Sequence, residues 1–252
     1  MISFFKQIRK GLLNENKFSK YLIYAIGEIT LVVIGILIAL QLNNYNDNLK
    51  QKKLEHKSLV NLKLDFEFNL SETERNIKTL KQYRNSCLEI LSYTGKNYSE
   101  CFDLDNTLEQ VVSTPLYSPQ NGFLLELINS GNLRIIDNDE LRNSLSSWLP
   151  TLEKLQAREQ VCYGFNQATI QFIIKNGSWL NSDARTTAKE IRQINFPESG
   201  FAVNNNEMLQ SLEFENLIEN NIVNQTLLLI IQERCLKLNE KILMLLESEI
   251  KK

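Results

Sequence analysis

The most uniform pattern in the chain is the stretch YLIYAIGEITLVVIGILIALQL, residues 21–42, which is apolar on every face and holds Glu28 as its single charge. At about 1.5 Å per residue these positions span about 33 Å as a helix, enough to cross the hydrocarbon core of a bilayer. A soluble helix of this length keeps a polar face, and this one has none. Residues 43–58 are almost all polar and read as a stalk. From there to about residue 93 the apolar positions Leu59, Leu62, Phe66, Leu70, Ile77, Leu80, Tyr83 and Cys87 recur in steps of three, four and seven, without Pro or Gly. That spacing predicts a long helix with one buried stripe.

The next stretch is broken by Gly95, Pro115 and Pro119. Asp105 or Asn106 is placed to start a short helix ending near Val112. Ser118 before Pro119 reads as an N-cap, predicting a helix over 119–130 that buries Phe123, Leu124, Leu127 and Ile128. Gly131 is its expected left-handed terminator. Asp137 or Asn138 caps a longer helix reaching about residue 175, with Leu145, Leu149, Leu152, Leu155, Cys162, Phe165 and Phe172 as its stripe and Pro150 as an expected kink. Residues 176–205 look irregular. A last helix, about 213–250, carries the seam Leu228, Ile231, Cys235, Leu238, Ile242 and Leu245. The best strand candidate is residues 133–136. The expected fold is all-α: a basic tail (1–20), one N-terminal transmembrane helix (21–42), a polar stalk (43–58) and an elongated antiparallel helical bundle (59–252).

Composition sharpens this picture. Leu numbers 40 and Asn 29, against 13 Gly and Pro together, which favours long helices over turn-rich classes. Lys6, Arg9, Lys10, Lys17 and Lys20 face only Glu15 in the tail, whereas residues 43–252 hold 28 of the 30 acids. Bases before the span place the tail in the cytoplasm and the bundle outside, in the periplasm if the membrane is an inner membrane. Lys50, Lys52, Lys53 and Lys57 follow the span only after a gap. No small-residue cleavage site follows the apolar run, which ends Gln41-Leu42-Asn43-Asn44, so the segment reads as an anchor. In the tail, Ile2, Phe5, Ile8 and Leu12 recur at helical spacing among bases. They suit either an amphipathic helix on anionic lipid or a tail that only sets topology.

Glu28, Leu31, Gly35 and Ala39 share one face of the span. Gly35 and Ala39 form a small-xxx-small pair that lets two helices approach closely. Glu28 is then a packing device in self-association or partner docking, a snorkelling group, or a titrating carboxylate in an energised membrane complex. The block KFSKYLIYAIGEITLVVIGILIALQLNNYND resembles the start of a family of uncharacterised single-span proteins of Gram-negative bacteria, a domain of unknown function. The family's pattern has an NNWN-type exit from the span, where Tyr45 stands here. LLELINSGNLRIIDNDELRNSL, residues 124–145, is a weaker echo. The resemblance implies a membrane anchor and a helical outer domain and carries no activity.

Catalytic signals are few. The single histidine, His56, lies on the stalk, and no Gly-rich phosphate loop, GxSxG, HExxH or CxxC occurs. Cys87, Cys162 and Cys235 fall on apolar stripes, where cysteine acts as a small hydrophobe. An oxidising compartment would also permit disulfides, Cys162 with Cys235 and Cys87 with Cys101. Asp137, Asp139 and Glu140, like Glu213 and Glu215, sit at helix starts, where the dipole favours acids. The outer part is acidic and offers no nucleic-acid surface. The expectation is a non-enzymatic, membrane-anchored interaction, scaffold or sensor protein, with no catalytic group, metal or cofactor. The bilayer and a second transmembrane helix, its own or a partner's, are the expected partners. An accessory subunit of an energised complex using Glu28 is the alternative, and an envelope enzyme with scattered acids the third reading.

Overall fold

A computed structural model describes residues 18–186, 189–197 and 199–251. The amphipathic pattern of Ile2, Phe5, Ile8 and Leu12 lies outside the described residues. The chain divides into two units, Met1–Lys57 and Ser58–Lys252.

The first unit, where described, is helix alone: the N-terminal part of α1 (Phe18–Leu91). No Pro interrupts it, and its glycines are isolated, so the i to i−4 ladder continues unbroken from the apolar stretch through the polar stalk. Within Leu22–Leu91 an apolar window reaches a mean hydropathy of 2.5, and none of that window is buried. The helix is long and apolar enough to cross a membrane. In the stalk, local pairs replace packing: Asn43 Nδ2 donates to Asp47 Oδ2 at 3.1 Å, and Lys50 lies 3.3 Å from Asp47.

The second unit contains the rest of α1, then α2 (Leu108–Val111), α3 (Gly122–Asn129), α4 (Asp139–Asn176), α5 (Trp179–Asp183), α6 (Lys189–Arg192) and α7 (Leu212–Ile250). Among the described residues there is no strand. Residues 133–136, the strand candidate, fall in a 3-10 turn, Asn132–Ile135. Cross-helix pairs give the directions. Lys63 meets Glu247 at 3.2 Å, Lys81 meets Glu233 at 3.7 Å, and the Thr94 hydroxyl donates to Glu215 at 2.6 Å, so α1 and α7 are antiparallel. Lys241 meets Glu140 at 2.8 Å, and Asn221 Nδ2 donates to Thr169 at 3.0 Å, so α4 and α7 are antiparallel too. These partly exposed ion pairs add little stability; their use here is as register markers. It follows that α1 and α4 run in the same direction. The connection 92–138 must therefore return along the bundle, which decides where the candidate site lies.

Local signals explain most boundaries. Asn138 caps α4, its side chain accepting from Leu141 N at 2.9 Å, and Ser211 caps α7. Asp139, Glu140, Glu213 and Glu215 occupy the first turns, as the dipole favours. Gly131 has φ 71°, the left-handed conformation that glycine adopts without steric cost. The helix α4 continues through Pro150, which is exposed, so the Ser146 carbonyl it leaves unbonded is on the solvent side. Gly177 is required by space: a Cβ there would lie 2.7 Å from Asn205 Oδ1 and 2.9 Å from Met208 Cε. One boundary differs from expectation. The third helix starts at Gly122 with Asn121 at its N-cap, and residues 113–121, Ser118 and Pro119 included, belong to no helix, turn or strand.

Two apolar clusters fill the bundle. One joins Phe66, Leu145, Trp148, Leu155, Leu228 and Ile242; the other joins Cys87, Ile90, Leu104, Phe172, Phe214 and Ile218. Buried polar side chains interrupt the same stripes, among them Asn69, Asn76, Glu159, Asn166, Asn221, Gln232 and Asn239.

Candidate functional site: a clamped strap and the cavity beside it

A segment that is neither helix nor strand has no ladder to satisfy its backbone, and against a bundle it also loses water. The strap 113–121 meets this with side chains from α1 and α4, while α7 holds the end of α2 just before it. Before it, Asn221 Nδ2 donates to the carbonyl of Val111, the last residue of α2, at 3.3 Å; within it, Asn166 Nδ2 donates to the Thr114 hydroxyl at 2.7 Å. Asn76 Nδ2 donates to Leu116 O at 3.2 Å, and Tyr117 N donates to Glu159 Oε1 at 3.0 Å. Asn69 closes both groups of Gln120: Nδ2 donates to its carbonyl at 2.9 Å, and Oδ1 accepts from its N–H at 2.7 Å. Pro115 and Pro119 have no N–H to satisfy, which suits them to this segment. Asn205 pairs in the same two-bond way with Ser178, at 2.7 Å and 2.9 Å. Asn239 turns its amide toward Phe66 O at 3.1 Å and Leu70 N at 3.0 Å on α1, the orientation those groups require. Asn69, Asn76, Asn205 and Asn221 thus stand in as partners for backbone groups that no helix ladder satisfies.

Beside the strap lies a cavity of about 530 Å³. Leu116, Tyr117 and Ser118 form one wall, and Glu153, Gln156 and Glu159 on α4 the other. Glu159 is 4% exposed, and burial raises its carboxyl above the ordinary range, opposed in part by the Tyr117 N–H. Its neighbour Arg158 turns to Asn224, Nη2 donating to the Asn224 carbonyl at 3.3 Å. A carboxyl with a raised value binds its proton more tightly in the folded state. Its contribution to stability is present below the ordinary carboxylate range and is lost as pH rises through the raised value. Glu159→Gln keeps an acceptor for Tyr117 N and removes the titration. The variant should therefore unfold at a temperature that varies less with pH between about 4 and 8 than wild type, as thermal melts across that range would show.

A second cavity, about 320 Å³, is lined by Asp103, Asp105, Arg185, Asn204 and Asn206 among others. Arg185 lies 3.0 Å from Asp103 and 3.8 Å from Asp105, and Glu100 also lines the space, so one guanidinium faces three carboxylates. Among the described residues no group of three or more His, Cys, Asp or Glu side chains is placed to hold a metal ion.

The residues singled out from sequence are spread through the molecule. Glu28, Leu31, Gly35 and Ala39 lie on the uninterrupted helix of the first unit; Leu31 is 67% exposed, and a Cβ at Gly35 would meet nothing within 4 Å. His56 is exposed. All four cysteines are free, so neither Cys162 with Cys235 nor Cys87 with Cys101 is joined; Cys101 is exposed and Cys87 fully buried. Burial pushes the Cys87 and Cys235 thiols up to about 12, and Cys162 also upward, so these three are protonated and unreactive. Sequence reading missed Asn69, Asn76, Glu159, Asn166 and Asn221. A signal was there: Leu155, Glu159, Cys162, Asn166 and Thr169 keep one helical face, as do Ile218, Asn221, Gln225, Leu228 and Gln232. Polar residues in phase with an apolar stripe point at something polar being packed.

Residues 28–151 match a family of unknown function, DUF6090. The DUF6090 match takes in the apolar helix from Glu28, the clamp residues Asn69 and Asn76, the strap, and α4 as far as Thr151. Glu159 and α7 lie beyond it. None of the curated proteins and none of the solved structures compared with the chain matches it.

Proposed function

We propose that this protein is a non-enzymatic, single-span membrane protein of an inner membrane, with its tail in the cytoplasm and its helical bundle outside as a binding or sensing part. The supporting observation is the apolar window of α1, none of which is covered by the rest of the chain. Left in water, so many contiguous apolar side chains would be strongly unfavourable, at roughly 25 cal/mol for each Å²; lipid removes that cost. The bases of the tail favour the stated orientation. Within the bilayer, Glu28, Leu31, Gly35 and Ala39 give one face on which a second helix packs, from another copy or from a membrane partner.

Cys101 provides the test, because it is the exposed thiol while Cys87, Cys162 and Cys235 are buried. A membrane-impermeant maleimide should label the wild type in right-side-out vesicles and should not label Cys101→Ser. Labelling confined to inverted vesicles would reverse the orientation. Recovery of the chain in the soluble fraction after carbonate washing would remove the anchor altogether. For the packing face, Glu28→Leu should change the crosslinked species formed in native membranes, and an unchanged crosslinking pattern would refute that assignment.

A further inference from the structure

We infer that the cavity between the strap and α4 binds a small organic cation, an amine or a guanidinium, through the carboxylate of Glu159. This deepens the reading of the bundle as a binding part and rests on it.

The chemistry begins with an unmatched charge. Glu159 is 4% exposed, and no cation pairs with it among the described residues. An isolated carboxylate in such a place takes up either a proton or a counter-ion. Arg158, its sequence neighbour, is committed to Asn224. Oε1 of Glu159 is held by Tyr117 N at 3.0 Å, which fixes the carboxyl group. Oε2 has no hydrogen bond from the described residues, and Glu159 lines the cavity.

The rest of the lining agrees. Glu153 adds a second carboxylate, Gln156 and Ser118 offer further oxygens, and no Lys or Arg contributes to the walls. Leu116, 64% exposed, supplies an apolar surface for a methylene chain. The volume, about 530 Å³, lies within the usual range for small-molecule sites. Because burial holds the Glu159 carboxyl above its ordinary value, a cation competes there with a proton. Binding therefore weakens as pH falls, and it releases protons.

The test uses the full-length chain in detergent micelles, with 1,4-diaminobutane as probe and 1,4-butanediol as the neutral control of like length. The diamine should raise the unfolding temperature saturably, and the diol should not. Calorimetry in buffers of different ionisation enthalpy should show proton release on diamine binding. Glu159→Gln, which keeps an acceptor for Tyr117 N, should bind about tenfold more weakly or worse, the loss of one charge-assisted contact. Glu153→Gln, on the outer wall, should show a smaller loss. No saturable stabilisation of the wild type, or equal binding by wild type and Glu159→Gln, would overturn the site. A chain that ignores the diamine yet stays in the membrane with Cys101 labelled refutes this site and leaves the anchored reading intact. A soluble chain that binds the diamine does the reverse.

Discussion

Replacing Trp148 by alanine should destabilise the bundle by about 3–5 kcal/mol, the usual cost of removing a buried aromatic side chain. Trp148 is fully buried, and its ring meets Phe66 of α1 edge-on with centroids 5.0 Å apart. Its Nε1 donates to Asn121 Oδ1 at 2.7 Å, at the point where the strap ends and α3 begins. One side chain thus joins α4, α1 and the returning connection. Alanine removes the ring from a packed core and leaves Asn121 without its donor. Phenylalanine keeps most of the volume and loses the hydrogen bond, so its cost should fall to about 1–2 kcal/mol. Denaturant unfolding of the three proteins in the same detergent measures the difference. Trp179, the second of two tryptophans, remains as a reporter in both variants. Equal stability of wild type and Trp148→Ala would mean that this contact does not hold the bundle together.

The second large effect is expected at Asn69. This residue is fully buried on α1 and makes both hydrogen bonds to Gln120, while its own carbonyl accepts from the Tyr117 hydroxyl at 3.2 Å. Alanine at this position deprives the Gln120 N–H and carbonyl of their partners together. Each such loss costs about 1–3 kcal/mol where water cannot replace the partner, so about 2–4 kcal/mol is expected for the pair at a half-buried site. The loss is local to the strap. Limited proteolysis should then cut within residues 113–121 in Asn69→Ala under conditions that leave wild type whole. Asn76→Ala, which gives up one bond to Leu116 O, should fall between them. If protease cuts all three chains alike, the strap is not held by these amides. Leucine is no remedy at Asn69, since it fills the space without offering either a donor or an acceptor.

These two residues show what was readable in advance and what was not. Trp148 is not among the stripe residues named from sequence, yet it lies in helical phase with Leu145 and Leu152, and its burial agrees with that phase. Asn69 lies in a stripe where the pattern reads as an interruption. Its purpose depends on Gln120, 51 positions away in sequence, and no local rule pairs them. Ser118 and Pro119 make the same point from the other side. As a dipeptide they carry a helix-start signal, yet Tyr117 and Gln120 on either side are held by Glu159 and Asn69, and α3 waits until Gly122. A cap contributes about 1 kcal/mol, and several hydrogen bonds from α1 and α4 outweigh it. The strap, the cavity and Glu159 were hidden for this reason.

By itself the sequence determined the properties that depend on neighbours along the chain. The all-α class, the apolar stretch in α1, the cap at Asn138, the left-handed Gly131 and the extents of α4 and α7 all follow from helical periodicity, capping chemistry and the scarcity of Gly and Pro. Tertiary structure alone decided the relation between elements. It made α1 and α4 run in the same direction, drew the connection back along the bundle, and set Glu159 against a strap with no cation to match it among the described residues. The physical reason is range. Periodicity and capping act over one or two turns, whereas the partner of a buried amide or carboxylate is chosen by which segments the packed helices bring together.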